Sequence, residues 1–300
     1  MHATSRRCVI ANVAIELSTP REDELGDVVR VLRDWQNDAS PMQLHPGDLG
    51  WYWRFGAEAV AAAVRTWRRR GHIVAIGFLD GPRTLRLTVA PLVWREKELA
   101  GRVLSDLSEP RRGVLPAGGV SVESPNGTRL QELLSESGWG PGESWTPLRH
   151  DLSTAVQDTG VRTEVVGWGQ EPEFTAVHRS AWDRPAFTDA LWREMAAGLP
   201  FADARCLLAR DEHGVAVAGV TVWSAGPGRP GLVEPLGVHA EHRGRGYGRM
   251  VGVAAAAELK KLGSSCALVC TPSARASAVA TYESAGFQRL PVRLDRSRTG

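Results

Sequence analysis

The sequence predicts an α/β chain folded as two tandem domains, and three observations predict it. Its 300 residues are enough for two cores of ordinary size. Strand-like and helix-like stretches alternate through both halves, and the halves open and close alike. In the second half, an apolar strand at Leu236-Gly237-Val238 runs into a basic, glycine-rich turn from which a helix starts at once.

The elements follow in order along the chain. Val13-Ala14-Ile15-Glu16-Leu17 alternates as a strand, and Ser18-Thr19-Pro20 is expected to cap a helix reaching Asp34 or Trp35. Trp51, Trp53 and Trp67 lie near helical spacing, which suits packing in a core or between domains. The run Arg65-Thr66-Trp67-Arg68-Arg69-Arg70 reads as the solvated end of a helix. Leu87 to Pro91 reads as a strand, and the helix that follows Val120-Ser121-Val122-Glu123-Ser124-Pro125 ends at Ser137-Gly138-Trp139. The polar stretch from Leu148 to Gly160 is the expected connection, giving domains over 1–152 and 153–300. The second domain reopens with a strand at Thr163 to Val166 and a helix from Pro172 to Trp182.

Composition narrows the class. A formal net charge of +2 carries no footprint for nucleic acid or membrane. The four cysteines, Cys8, Cys206, Cys266 and Cys270, have no metal-ligand spacing, so no metal is expected. Alternation puts Cys266 and Cys270 on one face of a strand, as small buried thiols. With no signal peptide and no span long enough for a bilayer, the expected location is cytoplasmic.

The chemistry concentrates at Arg243-Gly244-Arg245-Gly246-Tyr247-Gly248. Glycine turns let backbone N–H groups converge, and the helix N-terminus that follows adds positive potential, so the segment suits a pyrophosphate. A dinucleotide fold would need an acidic residue about twenty positions on. Leu262-Gly263-Ser264-Ser265 stands there instead, and the Lys-Ser/Thr ending of a triphosphate loop is missing too.

The segment resembles the acetyl-CoA signature of the GCN5-related N-acetyltransferases (GNAT), Arg/Gln-x-x-Gly-x-Gly/Ala. The preceding Leu236-Gly237-Val238-His239-Ala240 is similar to the family's Leu-x-Val-x-Pro, with Ala240 replacing the proline. Ala278-Val279-Ala280-Thr281-Tyr282-Glu283-Ser284-Ala285-Gly286-Phe287 matches a second family element, and the likeness covers roughly residues 160 to 292. It implies a mixed, mostly antiparallel central sheet flanked by helices, and acetyl-CoA or another short acyl-CoA as co-substrate. In the front half, Val93-Trp94-Arg95-Glu96-Lys97-Glu98 stands where the loop would be, with no glycine and two carboxylates that would repel phosphates. The chain thus resembles tandem acetyltransferases of the mycothiol synthase type, with a degenerate first domain and a catalytic second one.

That resemblance implies the site. Leu236, Val238, Arg243, Gly244, Arg245, Gly246, Tyr247 and Gly248 would hold the cofactor, with a backbone N–H at or beside Val238 meeting the thioester oxygen. Arg275 replaces the asparagine common seven residues before the tyrosine, and could reach a phosphate. Tyr282 would donate a proton to the leaving thiolate. Glu234 is the candidate base because period-two alternation puts it on the face of Leu236 and Val238; it could instead bind a cationic substrate or pair with Arg229. His178, Trp182, Trp223 and His239 are candidate acceptor contacts. The expected reaction is acyl transfer to a primary amine of a small molecule by direct attack. A peptide amine, an aminoacyl-tRNA donor and a non-catalytic acyl-CoA-binding module are the alternatives.

Overall fold

A computed structural model of the protein describes residues 14–156, 160, 162–182 and 186–299; Cys8, Val13 and residues 157–159 lie outside this set. The front half contains β1 (Ile15–Ser18), α1 (Leu25–Trp35), α2 (Pro46–Tyr52), α3 (Ala57–Ala63), β2 (Val64–Arg69), β3 (His72–Leu79), β4 (Thr84–Val89), α4 (Lys97–Ser108), β5 (Val120–Glu123), α5 (Arg129–Glu136) and β6 (Gly140–Asp151). The back half contains β7 (Arg162–Val165), α6 (Glu171–Trp182), α7 (Asp189–Ala196), β8 (Ala204–Arg210), β9 (Ala216–Trp223) and β10 (Gly231–Val238). It continues with α8 (Tyr247–Lys261), β11 (Cys266–Pro272), α9 (Ala276–Ser284), β12 (Gln288–Arg289) and β13 (Arg293–Arg298).

Two local expectations are corrected. The first long helix ends at Trp35 as expected but does not start at Ser18, because Ser18 is the last residue of β1 and its hydroxyl meets that of Thr66 at 2.9 Å. The basic run from Arg65 is strand β2, followed by a turn at Arg70 and Gly71. Val64, Thr66 and Trp67 favour a pleated, half-buried surface over a helix. Trp67 is fully buried and its indole donates to Asp106 Oδ2 at 3.0 Å, Arg69 pairs with Glu96 at the start of the same helix α4, and Arg68 instead lines a hollow with Asp34 and Trp35 of α1. Strand geometry therefore divides the charge between two faces.

Among the described residues all strands join one thirteen-stranded sheet, ordered β1-β2-β3-β4-β5-β13-β6-β11-β10-β9-β8-β7 with β12 beside β6. Neighbours are antiparallel except β4–β5 and β10–β11, one parallel pair in the same place in each half. The sheet is thus mixed and mostly antiparallel, with helices packed on it, as expected. The halves exchange their last strands. β6 pairs with β11 from Asp151↔Cys266 to Trp145↔Pro272, and β13 pairs with β5 from Val122↔Arg296 to Val120↔Arg298. The expected division at residue 152 falls at the end of such an exchanged strand.

Tryptophans seated on glycines join the halves. A Cβ at Gly47 would lie 2.5 Å from Trp223 Cγ, and Gly50, one turn on along α2, meets the same ring. In the reverse sense, Gly198 of the back half admits Trp53, where a Cβ would lie 2.5 Å from its Cγ. Trp51 packs 5.0 Å from the Phe187 ring. Of the core or interface packing expected of these tryptophans, Trp51 and Trp53 show the interface kind and Trp67, in the front core, the other.

Cys266 and Cys270 do share a face of β11 with Leu268, and burial pushes their thiols up to about 11 and about 12. Among the described residues no group of histidine, cysteine or carboxylate side chains could hold a metal, and no helix is long and apolar enough to cross a membrane.

His178 is enclosed, and burial pushes its imidazole down to about 3. In the unfolded chain it titrates near 6.5. Between those values the unfolded state takes up a proton that the native state refuses, so stability falls as pH drops below about 6.5. The melting temperature should therefore decline from pH 7 to pH 5, and less steeply in His178→Leu. Equal slopes in the two proteins would show that another group governs the acid limb.

Candidate active site

β10 and β11 are paired only at Gly231↔Ala267 and Leu232↔Leu268. Beyond these the strands part, and the register of β10 on β9 shifts between Val233 and Leu236. One extra residue in β10 makes a bulge there, which bends the strand away from β11. The result is a groove of about 900 Å³, walled by β10, β11, the start of α8 and one face of α9, with Trp145 and Trp182 at its sides.

The backbone of β10 presents donors to this groove. The His239 N–H donates to the Val217 carbonyl oxygen at 2.9 Å. Strand N–H groups alternate in direction, so Gly237 also points to β9. The N–H groups of Leu236 and Val238 then face the gap that β11 has left. Their side chains also line the groove and pack on the back core.

At the groove mouth, Gly244 (φ 76°) and Gly246 (φ 84°) hold left-handed turns that other residues adopt only with strain. Helix α8 starts at Tyr247, and the Met250 N–H already reaches the Gly246 carbonyl. The N–H groups of Tyr247, Gly248 and Arg249 therefore have no acceptor within the helix, and they converge where an anion would sit. This cradle fits a phosphate. Gly248 differs from the other two: it lies within α8, and a Cβ there would come 2.8 Å from Thr281 Cγ2 on α9. Its small size serves helix packing.

The arginines divide unlike the expectation. Arg243 lines the groove, but its guanidinium donates to the Ala181 carbonyl at 2.6 Å and ties the turn to α6. Arg245 is exposed and does not line the groove. Arg249 and His242, which sequence reasoning missed, do line it. Arg249 was findable as the third residue after Gly246, in the first turn of the helix. In the front half, the corresponding turn carries Glu96, which donates no N–H to an anion from its side chain and is instead paired with Arg69.

Glu234 lies at the bulge, half-buried, and lines the deep part of the groove. It does share the groove with Leu236 and Val238, but the reason is the bulge, since simple alternation is broken between Val233 and Leu236. Burial first, then the Asp48 carboxylate, push its carboxyl up to about 7 against the pull of Arg86. Arg229 is not its partner; that guanidinium binds Asp34 at 2.9 Å.

Tyr282 of α9 lines the same depth of the groove, and its hydroxyl has no hydrogen-bond partner among the described residues. Burial, then the Glu234 and Cys270 charges, raise the phenol above its ordinary value. Arg275 caps α9 and lies over the Trp182 ring, 5.6 Å from its centre, so these two meet across the groove.

Three expected acceptor contacts lie elsewhere. His178 is buried beneath the sheet beside Phe174 and Gly219. Trp223, 1% exposed, uses its indole to bind the Glu234 carbonyl oxygen at 2.7 Å. His239 caps the short turn before the loop, its Nδ1 accepting the Glu241 N–H at 3.4 Å. Only Trp182 of the four lines the groove.

The sequence profile of the acetyltransferase (GNAT) family matches residues 168–287. Among solved structures, a GCN5-related N-acetyltransferase from Sphaerobacter thermophilus is similar at 17% identity, covering 95% of each chain with a TM-score of 0.57. A tandem GNAT protein from the clavulanic acid biosynthesis pathway is similar at 16% identity over 95% of this chain and 98% of its own, with a TM-score of 0.63. A GNAT-family acetyltransferase from Colwellia psychrerythraea is similar at 14% identity over 96% and 100%, with a TM-score of 0.62. No curated protein matches the sequence significantly. These structures share the fold over nearly the whole chain, and the profile falls on the half that holds the glycine turn and the splayed strands. Residues 168–287 thus match the acetyltransferase (GNAT) family, whose members take their acyl group from acyl-CoA, and the chain as a whole shares the fold of these structures.

Proposed function

We propose that residues 153–300 transfer an acetyl or other short acyl group to a primary amine of a small molecule, and that residues 1–152 form a degenerate domain bracing the acceptor end. The observation that carries this reading is the placement of Glu234 and Tyr282 at the depth of one groove whose mouth is an anion cradle. The pyrophosphate would take the N–H groups at the start of α8, with Arg249 and His242 beside it. The pantetheine arm would run between β10 and β11, and the thioester oxygen would meet the Val238 N–H.

Glu234 takes one proton from the ammonium, the neutral nitrogen then attacks the thioester carbon and the C–S bond breaks, and the second proton that the nitrogen sheds as the amide forms goes to solvent, from which the thiolate is protonated. An ammonium titrates near 10.4, and a carboxyl raised to about 7 is a better match for that proton than an ordinary one. The departing thiolate needs a donor. Tyr282 stays protonated at all working pH values, and its O–H stabilises the charge on sulfur. Full transfer from a phenol raised above 10 to a thiolate of pKa about 8.5 is uphill. The thiolate therefore draws a short hydrogen bond from Tyr282 and takes its final proton as solvent enters.

A small acceptor is favoured because the front half stands behind Glu234: α2 is pressed against β10 by Trp223. The anion cradle argues against an aminoacyl-tRNA donor, for which the basic run from Arg65, here strand β2, is the one supporting feature of the sequence. Thermal unfolding with acetyl-CoA, against ATP and NAD controls, tests the donor. At a hundredfold over Kd, binding adds about 2.7 kcal/mol and raises the melting temperature. No rise, or an equal rise with NAD, overturns the donor assignment.

A further inference from the structure

The front half sets a buried series of charges behind Glu234. Asp48 on α2 is enclosed; its Oδ2 accepts the His45 N–H at 2.6 Å, and its Oδ1 lies 2.7 Å from Arg86 Nη1 on β4. Arg86 Nε stands 3.1 Å from Glu123 Oε2, and Glu123 Oε1 stands 3.1 Å from Arg293 Nη1. Arg293 approaches Asp295, whose other oxygen accepts the Trp145 indole N–H at 3.0 Å. The series therefore leads from the Glu234 end back to Trp145, a wall of the groove. Buried ion pairs are weak sources of stability, because desolvation offsets most of their attraction. Another reason is needed for keeping this one.

Geometry supplies it. Trp223 sits on Gly47 and Gly50 of α2 while its indole holds the Glu234 carbonyl oxygen at 2.7 Å. Asp48 follows Gly47 directly, so one side chain fixes the Asp48 segment and the Glu234 backbone to each other. The charged and titratable groups around Glu234 come from every element nearby. The front half contributes Asp48, Asp80 after β3, Arg86 and Glu123, while β11 contributes Cys270 and α9 contributes Tyr282. On β9 the neighbour is the neutral Trp223 indole, and on α6 the titratable group packed toward the sheet is the neutral His178.

We infer that Asp48 and Arg86, from the half without the glycine loop, are positioning residues for Glu234 that decide at which pH its carboxylate can accept a proton. The half that has lost its own cofactor turn thereby acts on the chemistry of the other half. The inference rests on Glu234 as proton acceptor.

The test follows Glu234 itself in the full-length chain carrying carbon-13-labelled glutamate, its carboxyl signal assigned by disappearance in Glu234→Gln. Removing a neighbouring negative charge should lower the titration midpoint, and removing a positive one should raise it. Asp48→Asn should lower the midpoint by about one pH unit and Arg86→Met should raise it by about as much, while Arg86→Lys should restore it. Asp80→Asn, at a more exposed site that does not endanger folding, should lower it by less. Shifts of opposite sign from two touching residues cannot come from general damage. Midpoints within about 0.2 of wild type in Asp80→Asn and in both Arg86 variants overturn the inference. Failure of the underlying reading shows differently: Glu234→Gln would then leave thiol release from acetyl-CoA, with ethylenediamine as acceptor probe, unchanged.

Discussion

Gly246→Glu is expected to abolish acetyl-CoA binding while leaving the protein folded. Gly246 caps α8 at φ 84°, and the nearest atom to a Cβ there is Met250 Cε at 3.9 Å, so the side chain has room. Two effects then separate. The left-handed backbone penalises any side chain by about 1–2 kcal/mol. The carboxylate adds repulsion at the point where the helix N-terminus would meet phosphate, opposing the favourable field there. Gly246→Ala carries the first effect alone and should lower the melting temperature slightly while still binding. Gly246→Glu should weaken binding by at least about a hundredfold, or roughly 2.7 kcal/mol. Titration calorimetry with acetyl-CoA and with free CoA reads both variants. Equal affinity in wild type and Gly246→Glu would mean that the pyrophosphate lies elsewhere.

Tyr282→Phe should reduce kcat by about a hundredfold to a thousandfold and leave acetyl-CoA affinity within about threefold. The substitution is clean for a structural reason. The ring packs at 5.6 Å from Phe287, and phenylalanine keeps that contact. The hydroxyl has no protein partner among the described residues, so its removal strands no buried group. Stability should therefore stay nearly constant. A donor acting on the leaving sulfur affects the transition state more than the bound thioester, which is why kcat and not KM should respond. An unchanged kcat would return Tyr282 to the core of the domain.

Some of this site was legible because its signals are local. The turn at Gly244 and Gly246 announces itself through residues that tolerate left-handed backbone, and the helix that follows begins where those residues end. Leu236 and Val238 can be placed together on the groove wall for the same reason, being alternate residues of one strand. Gly248 was found for the wrong reason: the spacing suggested a turn, and the constraint is the approach of Thr281 from another helix. The charge of Arg245 beside the loop is visible in sequence, whereas the direction of its side chain, which is exposed and outside the groove lining, is not. Trp223, an expected acceptor contact, joins Glu234 to α2, a role defined by Gly47 and Gly50 far away in the chain.

By itself the sequence determined the strands and helices whose burial repeats every two or every three to four residues, the left-handed turn, and the absence of that turn from the front half. Period and turn chemistry act over a few neighbouring residues, so a single stretch is enough to specify them. Tertiary structure decided the rest. The exchange of β6 and β13 joins strands more than a hundred residues apart, and it makes one sheet out of two repeats. The bulge at Glu234 opens the groove only because β11 ends its pairing at Leu268. Asp48 and Arg86 come to Glu234 only through the packing of one half on the other. Electrostatic neighbourhood depends on distance in space and on exclusion of water, and neither is written in the spacing of residues along a chain.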